Sequence, residues 1–311
     1  HKALPEGSPT AQQRCDMAVL ATAELGRQAE ASDMELRRDG VSYTADTLAQ
    51  LRRQYPEDEL YLLMGTDMFL SLQSWRQPER IAALAHIAPF RREREDDPAA
   101  FAAQKEHLER DYGASVTVVP NPDVVDISST EVRAALAQGG GEDMLPPAVW
   151  GYICRERLYG THTDLKHLTP EALRPVALSY LKPKRMPHVL GTEQEAVRLA
   201  ERYGADVTKA RVAALLHDCT KKLDMAEQLA LCERYRIPLD ELERKALKLL
   251  HSKTGAAIAR DVFAVDDEVY NAILYHTTGK PDMTLLEKIM SLADFIEPTR
   301  DFRGVEELRC T

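Results

Sequence analysis

From about Pro170 to the end of the chain, the sequence holds helical patterns and no strand pattern. Apolar residues recur at helical spacing, and turn signals such as Tyr203-Gly204 and Ile237-Pro238 separate several of the segments. The predicted helices span residues 193–203, 209–222, 225–234, 239–259, 268–276 and 283–295. An all-α domain is therefore predicted for this half of the chain.

The preceding part of the chain, from about residue 11 to 160, mixes the two kinds of pattern. Helices are predicted over 12–31 and 43–55, and short apolar runs predict buried strands over 60–65 and 115–120. Strands that alternate with helices indicate an α/β layer fold, which binds ligands where the strands end in loops.

The change of pattern places a domain boundary in the polar stretch between residues 160 and 165. It divides the chain into an N-terminal α/β domain over 1–160 and a C-terminal all-α domain over 165–311. The sequence starts at His1 without a methionine and stops at Thr311 without an obvious finish to a fold. We therefore expect it to be a piece of a longer protein.

Composition narrows the class of protein. The net charge of -10 argues against a nucleic-acid-binding surface, although a metal site could still attract an anionic substrate. Five scattered cysteines without a C-x-x-C pair suggest reduced thiols and a cytoplasmic location. No apolar run approaches the roughly 20 residues of a membrane span, so no membrane partner is expected, and a homo-oligomer stays open.

Six residues of the helical half combine metal-binding side chains with apolar surroundings. Apolar residues precede most of them, as Ala213–Leu216 precede His217, so the side chains should point inward, where an unpaired carboxylate is costly. Imidazoles and carboxylates without a thiolate suit a divalent transition metal. Adjacent helical residues diverge by about 100°, so His217 and Asp218 can face two ions, with Asp218 as the bridge. The candidate ligands are His188, His217, Asp218, His251, His276 and Asp294.

The order of these ligands resembles the H…HD…D signature of HD-domain phosphohydrolases. The sequence segments around the ligands resemble one bacterial subfamily of these enzymes, the YqeK family. The shared segments are Pro187–Thr192, Leu215–Lys221, His276–Gly279 and Ala293–Arg300. The resemblance covers the chain from about Pro170 onward. It implies symmetrical hydrolysis of diadenosine tetraphosphate to two ADP at a centre of two divalent ions, iron or else manganese, that clamp a phosphate and activate water.

Three residues are the catalytic candidates of this site. Asp218 would bridge the two ions at its centre. Lys222 and Arg300 could neutralise the other phosphates of the substrate, which need charge-assisted donors, or could equally be plain surface cations.

A second motif lies in the α/β half. Ser128 followed by Glu131 has the spacing of a capping box and predicts the start of a helix. The N–H groups of that start, the hydroxyls of Ser129 and Thr130, and Arg133 one turn later would form a phosphate cradle.

With its neighbours this motif resembles the nicotinate-mononucleotide adenylyltransferase family. The shared segments are His1-Lys2, Arg14–Met17, Ser42–Leu48, Met64–Asp67, Trp75, Ile127–Arg133, Tyr152-Ile153 and Leu158-Tyr159. The resemblance implies a Rossmann-like nucleotidyltransferase domain, truncated at its N-terminus, that takes ATP with Mg²⁺ and nicotinate mononucleotide.

The same resemblance assigns roles to six residues. Asp67 would contact the nucleotide, and Thr44 and Trp75 would line the nicotinate pocket. Ser129, Thr130 and Arg133 would hold the phosphates of ATP. The first strand and the H-x-G-H turn of the family do not occur in the sequence. We therefore expect adenylate transfer from a longer parent protein and not from these residues alone.

The sequence thus predicts a bifunctional protein of adenine-nucleotide metabolism, and two alternatives stay open for its helical half. The same metal site could serve another nucleotide, such as a nucleoside monophosphate, a deoxynucleoside triphosphate or a cyclic nucleotide. The helical half could instead be a nucleotide-sensing module, which would leave the six candidate ligands without a task.

Overall fold

The computed structural model describes residues 7–91, 97–125 and 127–310. The segment His1-Lys2, which belongs to the adenylyltransferase resemblance, lies outside the described residues. Asp126, which directly precedes the segment Ile127–Arg133, also lies outside them.

The chain divides into two compact units. Unit 1 contains residues 1–31 together with 132–311, and unit 2 contains residues 32–131. The domain boundary predicted between residues 160 and 165 lies within unit 1 and stays a prediction.

The described chain contains two strands and fifteen α-helices. The strands are β1 (Tyr61–Gly65) and β2 (His86–Phe90). The helices are α1 (Ala11–Ala21), α2 (Thr44–Gln54), α3 (Thr66–Leu70), α4 (Pro78–Leu84), α5 (Pro98–Tyr112), α6 (Ser129–Ala137), α7 (Pro147–Arg155), α8 (Pro170–Leu178), α9 (Met186–Tyr203), α10 (Val207–Leu216), α11 (Met225–Arg234), α12 (Leu247–Phe263), α13 (Asp267–Tyr275), α14 (Leu285–Ile296) and α15 (Val305–Cys310).

Unit 2 is built around a small parallel sheet. β1, predicted from its apolar run, pairs in parallel with β2, which the sequence did not predict. The strand predicted over 115–120 is reduced to an isolated bridge between Val116 and Ile87, although Val119 N–H still donates to Pro89 O at 2.8 Å. Pro89 lacks an N–H, so the ladder on this side of β2 misses a hydrogen bond.

The core of unit 2 lies between this sheet and its helices. Phe69 on α3, Ile81 on α4 and Ile87 on β2 are completely buried. Helix α2 confirms the helix predicted over 43–55 to within one residue at each end. The carboxyl end of β1 runs directly into α3, so the residues at this edge of the sheet begin a helix.

Unit 1 is helical, as predicted for the second half of the chain. Helix α9 packs against α10 and α14, and α13 packs against α12 and α14. Residues Ala213–Leu216 of α10 have no exposed surface, which places α10 at the centre. Side chains of Asp206, Asp266 and Thr284 cap the starts of α10, α13 and α14.

Three predicted helices are shorter than their patterns indicated. The helix predicted over 12–31 is an α-helix only to Ala21 and continues as a 3-10 helix to Gln28. The helix predicted over 209–222 ends at Leu216 and continues as turns. The helix predicted over 239–259 begins only at Leu247, because Asp240 and Glu243 cap a short 3-10 turn before it. In the described part of the chain, no helix has the length and apolar character needed to cross a bilayer.

The core of unit 1 also includes helices from the first half of the sequence. Leu20 on α1, Trp150 on α7 and Ile289 on α14 belong to one continuous cluster of buried apolar residues. Helices α7 and α8 approach closely at Gly151, where an added Cβ would lie 2.1 Å from the carbonyl oxygen of Pro175. Only glycine permits this approach.

Gly151→Ala is therefore expected to destabilise unit 1. The new methyl group would meet backbone, which cannot rotate away, so we expect the free energy of unfolding to fall by about 1–3 kcal/mol. Urea unfolding followed by circular dichroism measures the change. Gly140→Ala is the control, because its Cβ would lie 3.7 Å from its nearest neighbour. Equal stability of the two variants would contradict the prediction.

Candidate metal centre

The six predicted metal ligands meet inside unit 1, close to the ends of five helices. His188 lies in the first turn of α9, His217 and Asp218 in the turn after α10, His251 in the second turn of α12, His276 directly after α13, and Asp294 in the last turn of α14. Helix ends bring them together because α9, α10, α12, α13 and α14 pack as neighbours.

The ligand atoms form two triads that share one imidazole. One triad is His188, His217 and Asp294, and the other is His217, Asp218 and His276. Within each triad the ligand atoms lie within 4.8 Å of one another, a spacing that one metal ion can bridge. His188 Nε2 lies 3.0 Å from Asp294 Oδ1 and 3.3 Å from His217 Nε2.

The sixth predicted ligand, His251, adjoins the second triad without belonging to it. Its Nε2 atom lies 3.2 Å from His276 Nε2 and 3.3 Å from Asp218 Oδ1. Lys221 Nζ lies 2.9 Å from the same Nε2 atom, so an ammonium group borders this side of the cluster.

All four imidazoles use Nδ1 for a hydrogen bond that points away from the cluster. The partners of Nδ1 are Glu297 Oε1 at 2.9 Å for His188, Ala214 O at 2.6 Å for His217, Lys248 O at 2.8 Å for His251, and Ile273 O at 2.7 Å for His276. Carbonyl and carboxylate oxygens only accept, so Nδ1 carries the proton in each ring. The lone pairs of all four Nε2 atoms therefore point toward the cluster.

Burial keeps three of these rings neutral. It is the main cause that lowers the pKa of His217, which has no exposed surface. Burial, followed by the charge of Lys221, lowers the pKa of His251 to about 3. Burial, followed by the neighbouring His217, lowers the pKa of His276 to about 4. These three imidazoles are thus in the neutral form that binds metals.

Asp218 is ionised although it is completely buried. Burial by itself would raise its pKa, but His217, Arg185 and Lys221 outweigh burial and lower it. Among the residues that the structure describes, its Oδ1 atom has no hydrogen-bond partner. A buried anionic oxygen without a donor, beside converging imidazole lone pairs, is the environment that a divalent cation satisfies. The residues therefore fit a metal centre.

Glu297 is a part of the centre that the sequence did not single out. It is completely buried, accepts the Nδ1 proton of His188 and is held by the Thr299 hydroxyl at 2.6 Å. Gly191 leaves room for it, since an added Cβ would lie 2.6 Å from Glu297 Oε2. Glu297 lies within the segment Ala293–Arg300 that resembles the YqeK family, but no sequence pattern predicts its contact with His188.

Three cations border the centre, Arg185, Lys221 and Arg300, and one of them, Arg300, was predicted. Arg300 Nη2 donates to Asp294 Oδ1 at 2.7 Å, whereas Lys222 lies in the turns after α10, one residue beyond Lys221. Arg185 and Lys221 were missed, although Arg185 Nε donates to Asp218 Oδ2 at 2.5 Å. The catalytic roles of Lys222 and Arg300 stay predictions.

The predicted residues of the nicotinate site lie in unit 2. Thr44 is the first residue of α2, and Asp67 is an exposed residue that follows the carboxyl end of β1. Trp75 is half-buried against the core of unit 2. Open parallel sheets bind ligands at the carboxyl ends of their strands, which is where Asp67 lies. The roles of these three residues stay predictions.

The predicted capping box is confirmed. Ser128 N–H donates to Glu131 Oε2 at 2.7 Å, and Glu131 N–H donates to Ser128 Oγ at 3.2 Å. Ser129 and Thr130 are the first two residues of α6 and are exposed. The Arg133 guanidinium, one turn later, lies 5.6 Å from the centre of the Tyr159 ring. Phosphate binding by these residues stays a prediction.

Comparison with known families matches the two halves separately. The HD domain family matches residues 185–299, and the cytidylyltransferase-like family matches residues 1–135.

Curated relatives divide in the same way. A symmetrical bis(5'-nucleosyl)-tetraphosphatase of Halalkalibacterium halodurans is 43% identical over 141 residues, which cover 44% of this chain and 75% of that protein. A protein of a Shewanella species, named a probable nicotinate-nucleotide adenylyltransferase, is 37% identical over 161 residues, which cover 47% of this chain and 74% of that protein.

One solved structure is similar to part of this chain. It is described as a predicted HD superfamily hydrolase involved in NAD metabolism, from Clostridium acetobutylicum. It is 42% identical to this chain, with a TM-score of 0.44, and the match covers 46% of this chain and 76% of that one.

Glu297→Ala is expected to weaken metal binding. It removes the acceptor that fixes the tautomer and orientation of His188, and loss of such a partner typically lowers metal affinity about 10–100-fold. Competition with a chelator, read by metal analysis, measures the change. Glu297→Gln keeps an acceptor oxygen and should recover part of the affinity. Unchanged affinity in the alanine variant would show that Glu297 does not orient the ligand.

Proposed function

We propose that this chain, which belongs to the HD family over residues 185–299 and to the cytidylyltransferase-like family over residues 1–135, hydrolyses diadenosine tetraphosphate to two ADP in its HD half. One observation carries the proposal: four imidazoles and two carboxylates converge in a buried centre that fits divalent metal. The tetraphosphatase relative, similar across the same half, supports the choice of substrate.

The six ligands would hold two divalent ions, iron or manganese. His188, His217 and Asp294 would hold one, and His217 or Asp218 with His276 and His251 the other. Bound ions of this kind supply Lewis acidity and lower the pKa of water toward neutrality. Asp218 reaches both groups, because Oδ2 lies 3.9 Å from His188 Nε2 and Oδ1 lies 3.3 Å from His251 Nε2. It is therefore the proposed bridging residue.

The cations around the centre would position the substrate. Arg185 and Arg300 present guanidinium groups beside Asp218 and Asp294, and Lys221 presents its ammonium group beside His251. Guanidinium and ammonium donors form strong charge-assisted hydrogen bonds with phosphate oxygens. Their role would be to hold the tetraphosphate so that one inner phosphorus faces the buried ligands. Lys222 would contact phosphates farther along the substrate.

The proposed reaction is a single displacement at phosphorus. A water oxygen forms a bond to one of the two inner phosphorus atoms, and the bond from that phosphorus to the central bridging oxygen breaks. The bridging oxygen leaves with the other half of the molecule as ADP. The water-derived oxygen stays on the first half, which is then also ADP. Both protons of the water are released, so ionised diadenosine tetraphosphate and water give two ionised ADP and two protons, and atoms and charge balance.

For the N-terminal half we propose a nucleotide-binding role of the adenylyltransferase kind. Ser129, Thr130 and Arg133 would contact the phosphates of ATP with Mg²⁺, because helix starts offer free N–H groups to anions. Asp67, Thr44 and Trp75 would contact nicotinate mononucleotide and the nucleotide. The Shewanella relative, similar across this half, supports the proposal.

Product analysis tests the hydrolase proposal. Protein loaded with Fe²⁺ or Mn²⁺ is expected to bind about two ions per chain and to convert diadenosine tetraphosphate to ADP alone. Chromatography separates ADP from the ATP and AMP that asymmetric cleavage would form. Formation of ATP and AMP would contradict symmetrical cleavage. Turnover of a different nucleotide only would contradict the proposed substrate. A metal-free, fully helical protein would remove the mechanism.

Asp218→Ala is expected to abolish hydrolysis while the fold is retained. The change removes a ligand, so turnover should fall by at least about 100-fold, the upper end of the effect of losing an outer-shell partner. Circular dichroism and metal analysis report fold and metal content. Asp143→Ala is the control, since Asp143 is exposed and stands outside the centre. Activity near the parent level in Asp218→Ala would exclude this residue from the centre.

A further inference from the structure

A second feature of unit 1 is a cavity lined almost entirely by cations. It has a volume of about 250 Å³ and is lined by Leu181, Lys182, Lys184, Arg185, Lys221 and Lys222. Lys182, Lys184 and Lys221 are exposed, and no carboxylate of the described residues contributes to the lining. The chain as a whole carries a net charge of -10, so this concentration of positive charge is local.

The inner wall of this cationic cavity is shared with the metal centre. Arg185 donates to Asp218, and Lys221 lies within hydrogen-bond distance of His251 Nε2. A phosphate held at the metal centre would therefore continue directly into the cationic cavity. Several cations along one cavity suit a polyphosphate, because each of its phosphates carries oxygens that accept charge-assisted hydrogen bonds.

The outer wall of the cationic cavity is shared with a larger cavity. Lys222 lines both, and the larger one has a volume of about 570 Å³. Its walls include half-buried apolar groups on Leu231 and Ile258, and the half-buried ring of Tyr180. The Arg155 guanidinium lies 4.3 Å from the centre of that ring. This size and mixture of surfaces is typical of a nucleoside-sized pocket.

The environment of Lys222 favours an anion between the two cavities. Burial, followed by the charge of Arg155, lowers the pKa of Lys222. Asp16, Glu156 and Glu227 act in the opposite direction but only partly offset these effects, and a phosphate would add stabilising negative charge.

We infer that the cationic cavity binds the phosphates of the second nucleotide of the substrate, whose nucleoside occupies the larger cavity. The inference rests on the proposed function and names the site that receives the leaving ADP. Lys182 and Lys184 would be specificity-determining residues, since a mononucleotide held at the metal centre would not reach them. It follows that one chain binds two ADP molecules, one at the metal centre and one here.

Titration calorimetry with ADP tests the inference on the metal-loaded protein. The parent chain is expected to bind two ADP molecules, and Lys182→Ala/Lys184→Ala to bind one, with unchanged metal content. KM for diadenosine tetraphosphate should rise roughly tenfold, as for loss of one charge-assisted contact. Lys245→Ala/Lys288→Ala is the matched control, because it removes the same charge from exposed lysines that line neither cavity.

A second variant tests the larger cavity separately. Ala230 is exposed and lines that cavity, so Ala230→Phe should fill it without disturbing the core. We expect the second ADP to bind more weakly in this variant, while inorganic pyrophosphate, which needs only the cationic cavity, binds as in the parent. If the affinities for ADP and pyrophosphate fall equally, or if neither falls, the nucleoside does not bind in the larger cavity.

The outcomes separate the inference from the proposed function. If diadenosine tetraphosphate yields ADP but the parent binds one ADP, or the double lysine variant still binds two, the inference is overturned and the function stands. If diadenosine tetraphosphate is not hydrolysed but ADP binding falls from two to one in the double variant, the proposed substrate fails and the cavity remains a nucleotide site.

Discussion

The hydrogen bonds that four histidines make through Nδ1 determine what the helical half can do. Two of the acceptors, Ala214 and Ile273, are carbonyls in the last turns of α10 and α13, where backbone acceptors lack helical partners. The imidazoles satisfy these carbonyls and in return are fixed with Nε2 directed inward. His188 lies at the start of a helix, and its proton goes instead to Glu297. At His217 and His276, the hydrogen bond that satisfies a carbonyl at the end of a helix therefore also orients the metal ligand.

The charges around the centre explain why it suits a polyanion. Three carboxylates, on Asp218, Asp294 and Glu297, are opposed by three cations, on Arg185, Lys221 and Arg300. The protein groups therefore nearly cancel. Two divalent ions would leave an excess of about four positive charges, of the order of the charge on a tetraphosphate. An acidic chain can in this way bind a strongly anionic substrate.

The metal ligands could be predicted from the sequence, whereas the residues that orient them could not. His217 and Asp218 were predictable because they directly follow an apolar run. Their side chains should therefore be buried, and a buried polar group needs a partner. Glu297 and Arg185 were not predictable, because each depends on the approach of distant helices, made possible at one point by Gly191. The same limit applies to the fold. The strand His86–Phe90 contains a proline that conceals it, while its pairing with β1 is a long-range contact.

The core of unit 1 joins helices from both halves of the chain. Helix α7 carries Tyr152 and Ile153, which belong to the adenylyltransferase resemblance, yet it packs against α8 at the contact that Gly151 permits. Its Arg155 also lines the larger cavity beside the metal centre. Cutting the chain between residues 160 and 165 would therefore expose apolar surface and separate the helix that carries this wall residue. The helical half depends on residues that its own family match, 185–299, does not include.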